Sequence, residues 1–249
     1  MIDDPILLAV ALFVAGFLAG VINTLSGGGS LLALPALVFA GLPIDVANGT
    51  NRVGVLLQSV SALGTFRGHA AARGAFAWAE VLPASLGAII GSAISLDLDE
   101  NLFRRIVGGA LLVMLGLLLL KPNAWLQGRQ RPVAAGWRWL GFFVIGVYGG
   151  FLQAGVGMFL LAGLVMLSGR DLVQASVAKV LLVAIYTAPA LVIFLLGGRV
   201  AWLPGLAMAA GGALGGWAGA RFTVAGGAEL VRWVLIVVVI ASSLKLLAG

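Results

Sequence analysis

"NTLSGGGSLLALP" (residues 23–35) interrupts an apolar run with an Asn, two serines and three consecutive glycines. A soluble loop could carry such a stretch anywhere. Inside a bilayer, non-helical backbone is tolerated only where protein or a polar cavity satisfies its N–H and C=O groups. Whether this stretch lies inside a membrane therefore decides the fold.

Of the 249 residues, 61% are apolar and 10% are charged, with a mean hydropathy of +1.13. Soluble domains carry about 25% charge, so the composition is that of an integral membrane protein. Leu, Ala, Gly and Val fill long runs without the two-residue alternation of a membrane barrel, which predicts an all-α polytopic fold. Residues 5–22 have the length of a signal-peptide core, but their flank, Met1-Ile2-Asp3-Asp4, is acidic. A signal peptide takes a basic flank, so the segment is expected to stay in the fold. With no cysteine and one histidine, His69, thiolate chemistry and histidine-based metal sites are excluded or disfavoured. The net charge of +6 is expected to face anionic lipid from cytoplasmic loops rather than nucleic acid. No GxxxxGK[ST] loop occurs, and no cofactor is expected.

A bilayer crossing takes ~20 apolar residues. Candidates fall at 6–25, 46–66, 78–96, 103–120, 138–155, 172–196, 201–219 and 230–248, with shorter apolar pieces at 29–40 and 157–168. The basic segment 121–138, with Lys121, Arg129, Arg131 and Arg138, separates a first membrane unit (1–120) from a second (139–249). The units match in sequence. Gly16, Gly20, Asn23 and Gly27 recur as Gly146, Gly150, Gln153 and Gly157, an offset of 130. At offset 128, Gly41, Ala47, Asn51 and Gln58 match Gly169, Ala175, Lys179 and Tyr186; at offset 124, Trp78, Gly87 and Gly91 match Trp202, Gly211 and Gly215. Each half thus reads as a broken or re-entrant segment followed by three transmembrane helices, a duplication common in secondary transporters. A cytoplasmic linker puts residues 97–101 outside and the Arg67–Arg73 loop inside. If each break is a hairpin, both termini lie outside and the repeats are inverted.

Several positions could carry chemistry. A short helix starting at a glycine break presents free N–H groups and a positive dipole end, which suit an anion. Gly27, Gly28 and Gly29 form one break, and Gly155 and Gly157 the other. Gly16/Gly20, Gly87/Gly91 and Gly211/Gly215/Gly219 instead read as close-packing positions. Asn23 and Gln153 place an amide before each break, and polar side chains at such depth face a cavity or another helix. Asn51 and Gln58, like Lys179 and Tyr186, are two helical turns apart and share a face. Arg52 and Lys179 are the cations nearest these faces, while Asp45 and Asp171 read as helix N-caps. Tryptophans 125, 137, 139, 202 and 233 fit an interfacial belt.

"GVINTLSGGGSLLALPALVFAGLPIDVANGTNRVGV" (20–55) and "GVYGGFLQAGVGMFLLAGLVMLSGRDLVQASVAKVLLV" (146–183) resemble the paired signatures of the TauE/SafE sulfite exporter family. The resemblance covers the whole chain. It implies an inner-membrane transporter for sulfite, sulfonates or related small anions.

The expected function is therefore anion export by alternating access, without enzymatic activity. Asn23, Gly27, Gly28, Gly29, Asn51, Arg52, Gln58, Gln153, Gly157, Lys179 and Tyr186 are the expected substrate contacts. Lys179→Ala and Asn51→Ala are expected to abolish binding with the fold intact. The expected partners are a small anion and membrane lipid, with a homo-oligomer open. The alternatives are a transporter or channel for another solute or a metal cation, or a non-transporting membrane subunit.

Overall fold

A computed structural model describes residues 4–67, 78–97 and 133–248, with isolated positions between 99 and 109. His69, Arg73, Lys121, Trp125, Arg129, Arg131 and most of the 103–120 span lie outside the described residues. Those described are helical and contain no strand. In chain order the helices are α1 (Pro5–Leu25), α2 (Ser30–Phe39), α3 (Ile44–Phe66), α4 (Trp78–Ile94), α5 (Ala135–Leu152), α6 (Val156–Met166), α7 (Leu172–Leu196) and α8 (Trp202–Ala248). A 3₁₀ turn, Ser95–Asp97, follows α4.

Local sequence sets the helix ends. Asp4 caps α1, its Oδ1 accepting from the Ile6 amide at 2.8 Å, and Pro5 opens the first turn, where its missing N–H is not needed. Asp171 caps α7 in the expected way, accepting from the Gln174 amide at 2.8 Å. Asp45 differs. Pro43 holds the N-cap of α3, and Asp45 in the first turn accepts from Arg199 Nη1 at 2.9 Å. The two spans expected at 201–219 and 230–248 run together as α8, broken only at Gly227 (φ 61°, ψ −161°), a conformation that glycine adopts without strain. α5 starts at Ala135, inside the segment read as linker.

Helix directions follow from where glycines lie. Gly211 and Gly215 of α8 sit against Phe13 and Phe17 of α1, and Gly205 and Gly216 against Thr50 and Gln58 of α3. α1, α3 and α8 therefore run parallel. In the same way Gly146 and Gly150 of α5 meet Ala84 and Ala88 of α4, so α4 and α5 run parallel. These glycines allow backbone-to-backbone approach, the close-packing role read from the sequence.

Both short helices double back. Gly163 of α6 packs on Phe142 and Ile145 of α5, whereas Val156 packs beside Gly149, so α6 returns antiparallel to α5. α2 starts beside Ala19, Asn23 and Asn51 and ends at Phe39, just before α3 begins at Ile44. It thus retraces the first turns of α3. α3 and α7 are antiparallel to each other: Ala62 and Phe66 cluster with Val177 and Val180, while Gly49 meets Phe194 and Arg199.

Burial is inverted relative to a soluble domain. Ile6, Leu7, Val10, Leu82, Val144, Leu196 and Leu203 are exposed, while Arg52 and Lys179 are among the most buried side chains. Among the described helices, α1 and α7 are long and apolar enough to cross a bilayer by length and composition. Trp137, Trp139, Trp202 and Trp233 are exposed.

Candidate functional site

The two breaks cross. Gly27 lies directly against Gly157; a Cβ on either would overlap the other's backbone. Gly27 has φ 84°, accessible to glycine and strained for other residues. In the second break two residues on either side of Ala154 take similar conformations: Gln153 (φ 55°) caps the end of α5, and Gly155 (φ 68°) caps the start of α6. Gln153 is the only non-glycine residue with positive φ among those described.

Each break ends a helix, and a cation from the other half of the chain donates to its last carbonyls, although Asn23 and Gly149 also accept from the Gly27 and Gln153 amides at 2.9 and 3.1 Å. Lys179 Nζ, on α7, donates to the Asn23 and Thr24 carbonyls of α1, both at 2.7 Å. Arg52, on α3, donates through Nη1 to the Gly149 carbonyl at 3.3 Å and through Nη2 to the Gly150 carbonyl. Arg52 Nη1 also donates to Gln153 Oε1 at 3.0 Å, and the guanidinium lies 4.4 Å from the Phe194 ring centre. Gln153 Nε2 points to Tyr186 Oη (3.5 Å) and Thr187 Oγ1 (3.4 Å). Ser176 Oγ donates to the Leu25 carbonyl at 3.4 Å, and Tyr148 Oη to the Ala154 carbonyl at 2.5 Å.

The expected site residues therefore separate into two groups. Arg52, Gln153 and Tyr186 form one connected network around the second break, and Lys179 braces the first through the Asn23 backbone. Asn51 turns elsewhere, donating to Ser30 Oγ at 3.1 Å, and lines a narrow cavity with Gly29 and Gln58. Gly28 is buried, and the Asn23 side chain makes no hydrogen bond among the described residues. Asn48, Ser30 and Thr187 belong to the polar interior although they were not among the expected contacts. Asn48 Nδ2 donates to the Phe151 carbonyl at 2.8 Å, one residue before the end of α5. The run "ANGTNR" signalled a polar face, but not that Asn48 would reach the opposite break.

Neither Arg52 nor Lys179 meets a carboxylate among the described residues. Each full charge faces a helix C-terminus worth about half an opposing charge, while the N-termini of α2 and α6 add positive potential. Arg52 Nε, wholly buried, has no hydrogen-bond partner among the described residues. No group of three or more metal-ligating side chains exists among the described residues.

A family model described as "Sulfite exporter TauE/SafE" matches residues 12–246. The chain belongs to the sulfite exporter TauE/SafE family. It is 32% identical to a probable membrane transporter protein, ORF9, of Sinorhizobium sp., over 95% of this chain and 91% of that one. It is also 32% identical to the probable membrane transporter protein YfcA of Escherichia coli strain K12, over 98% and 91% of the respective chains. A probable membrane transporter protein of Haemophilus influenzae is 28% identical over 94% and 92%. No solved structure matches. This TauE/SafE chain is thus a member of a membrane transporter family.

Proposed function

We propose that this chain is a secondary transporter that exports small anions, sulfite or an organosulfonate foremost, across the inner membrane by alternating access at the crossing of its two breaks. The observation that carries this reading is a pair of buried cations, Arg52 and Lys179, beside the Gly27–Gly157 crossing, with no carboxylate partner among the described residues. A buried unpaired charge costs several kcal/mol. The helix C-termini offset part of that, and an anion of opposite sign offsets the remainder.

The two units, 1–120 and 139–249 around the basic segment 121–138, are read as inverted repeats. The antiparallel course of α3 and α7, whose sequences match at Asn51/Lys179 and Gln58/Tyr186, supports this. So does the exchange of braces, in which each half's cation holds the other half's break. Inverted repeats give two alternative arrangements of one interface, which is what alternating access requires. An inside-negative potential drives an anion outward by ~2.3 kcal/mol per charge per 100 mV, which makes export feasible without a coupled ion; uptake, or export against a steeper gradient, would need one.

Thermal melting of the purified protein against sulfite, taurine-like sulfonates, sulfate and carboxylates tests the substrate class. A melting shift with sulfite or a sulfonate, and none with organic cations, is expected. Stabilisation by cations alone would refute the reading.

A further inference from the structure

The cavity beside the crossing takes its polar wall from the first half of the chain. It has a volume of about 10 Å³, near that of one water, and lies between α1, α2, α3 and α8. Its polar wall is Ser30, Asn51 and Gln58; the remainder is glycine, alanine, Val55 and Met208. Gln58 is 5% exposed and lines the cavity, and its side chain makes no hydrogen bond among the described residues. Its amide is not sealed off from the cavity, so it is free to bond whatever enters there. Ser30 accepts from Asn51 and keeps its own hydroxyl proton free to donate, and it opens α2, so its first-turn N–H has no intrahelical partner.

The matching position in the second half is filled. Tyr186 stands where Gln58 stands in the sequence match, and its hydroxyl would lie 3.2 Å from a Cβ placed on Gly149. Gln153 and Thr187 further tie that side chain down.

We infer that Gln58, Asn51 and Ser30, with the start of α2, form the ligand subsite, which holds the oxygens of a small oxyanion through neutral donors, while Arg52 and Lys179 brace the frame. This rests on the anion reading above and names where the anion sits. Neutral donors at a helix start hold an anion without a fixed ion pair, and so release it readily. An oxyanion exceeds the present cavity, so the wall must yield to admit it. Met208 is the one long flexible apolar side chain in that wall. Its backbone is fixed against Gly16, but its thioether can change rotamer, and its Cγ would stand 3.6 Å from a Cβ on Gly54.

The test uses the full chain, sulfite as the probe, and two variants that the fold accepts. Gln58→Leu removes an unpaired buried amide, and Gly54→Ala adds a methyl at ordinary contact distance that pins Met208. Both should melt at or above the wild-type temperature without sulfite. Sulfite affinity should fall about tenfold or more in Gln58→Leu, the loss expected for one hydrogen bond to a charged ligand, and sulfite efflux should slow in Gly54→Ala. Wild-type sulfite affinity in Gln58→Leu, or wild-type efflux in Gly54→Ala, would overturn the assignment. Absence of sulfite binding and flux in the wild-type protein would instead refute the anion reading itself, and the subsite with it.

Discussion

Gly27 and Gly157 touch backbone to backbone at the point where the two helix breaks meet. Their sequence offset of 130 is the one that aligns Gly16 with Gly146 and Asn23 with Gln153. The pair thus joins equivalent points of the two matched segments, where an internal two-fold axis would pass.

A methyl at this point should not be tolerated. Gly157→Ala, whose φ does not demand glycine, isolates the contact and should cost about 1–3 kcal/mol or more, the usual penalty for overpacking. Gly27→Ala adds backbone strain to the same overlap. Gly64→Ala is the control, because a Cβ there meets nothing within 4 Å. It should be neutral or stabilising by up to about 1 kcal/mol through helix propensity. Melting temperatures in detergent would show the order.

Lys179→Met and Arg52→Met should destabilise the fold as well as affect transport. Each removes a charged donor from two carbonyls at a helix C-terminus. Lys179→Met leaves the Thr24 carbonyl without a donor among the described residues, at about 1–3 kcal/mol, while Arg52→Met costs less, because Gly149 and Gly150 keep the Gln153 amide and Ser92 Oγ. A binding loss with an unchanged melting temperature would return both cations to direct substrate contact, the role expected from sequence alone.

The two aspartates at helix starts should differ in effect. Asp171→Ala removes a side-chain cap and should cost ~1 kcal/mol. Asp45→Asn breaks a partly exposed pair with Arg199 and should cost less, between about 0 and 1 kcal/mol. Chemical or thermal unfolding of the two variants in parallel would separate them.

Much of this architecture is legible in the sequence, and the losses have physical causes. The span at 172–196 coincides with α7, because Asp171 and a glycine pair bracket a continuous apolar run. The breaks are visible because three glycines in an apolar run have few other uses. The role of Arg52 and Lys179 is not legible. Their long side chains reach carbonyls about 100 and 155 residues away in the chain, and no local pattern reveals a partner at that distance. Asp45 was misread as a cap because Pro43 already shapes the helix start, leaving the carboxylate for Arg199. Gly227 is a break without a loop, so α8 hides a boundary that hydropathy places as two separate spans.

The inverted arrangement has its own test in this cysteine-free chain. Arg67 at the end of α3 and Leu196 at the end of α7 are exposed, and α3 and α7 are antiparallel. Arg67→Cys should react with a membrane-impermeant thiol reagent only from the cytoplasmic side, and Leu196→Cys only from the outside. Labelling of both from one side would contradict the topology.

Sulfite efflux from proteoliposomes under an imposed potential tests the central claim most directly. The protein should carry sulfite, with outward movement accelerated when the interior is made negative and slowed when it is made positive. Each 100 mV should change the equilibrium ratio about fiftyfold for one negative charge moved. Absence of sulfite flux, or flux with the opposite response to potential, would contradict the account.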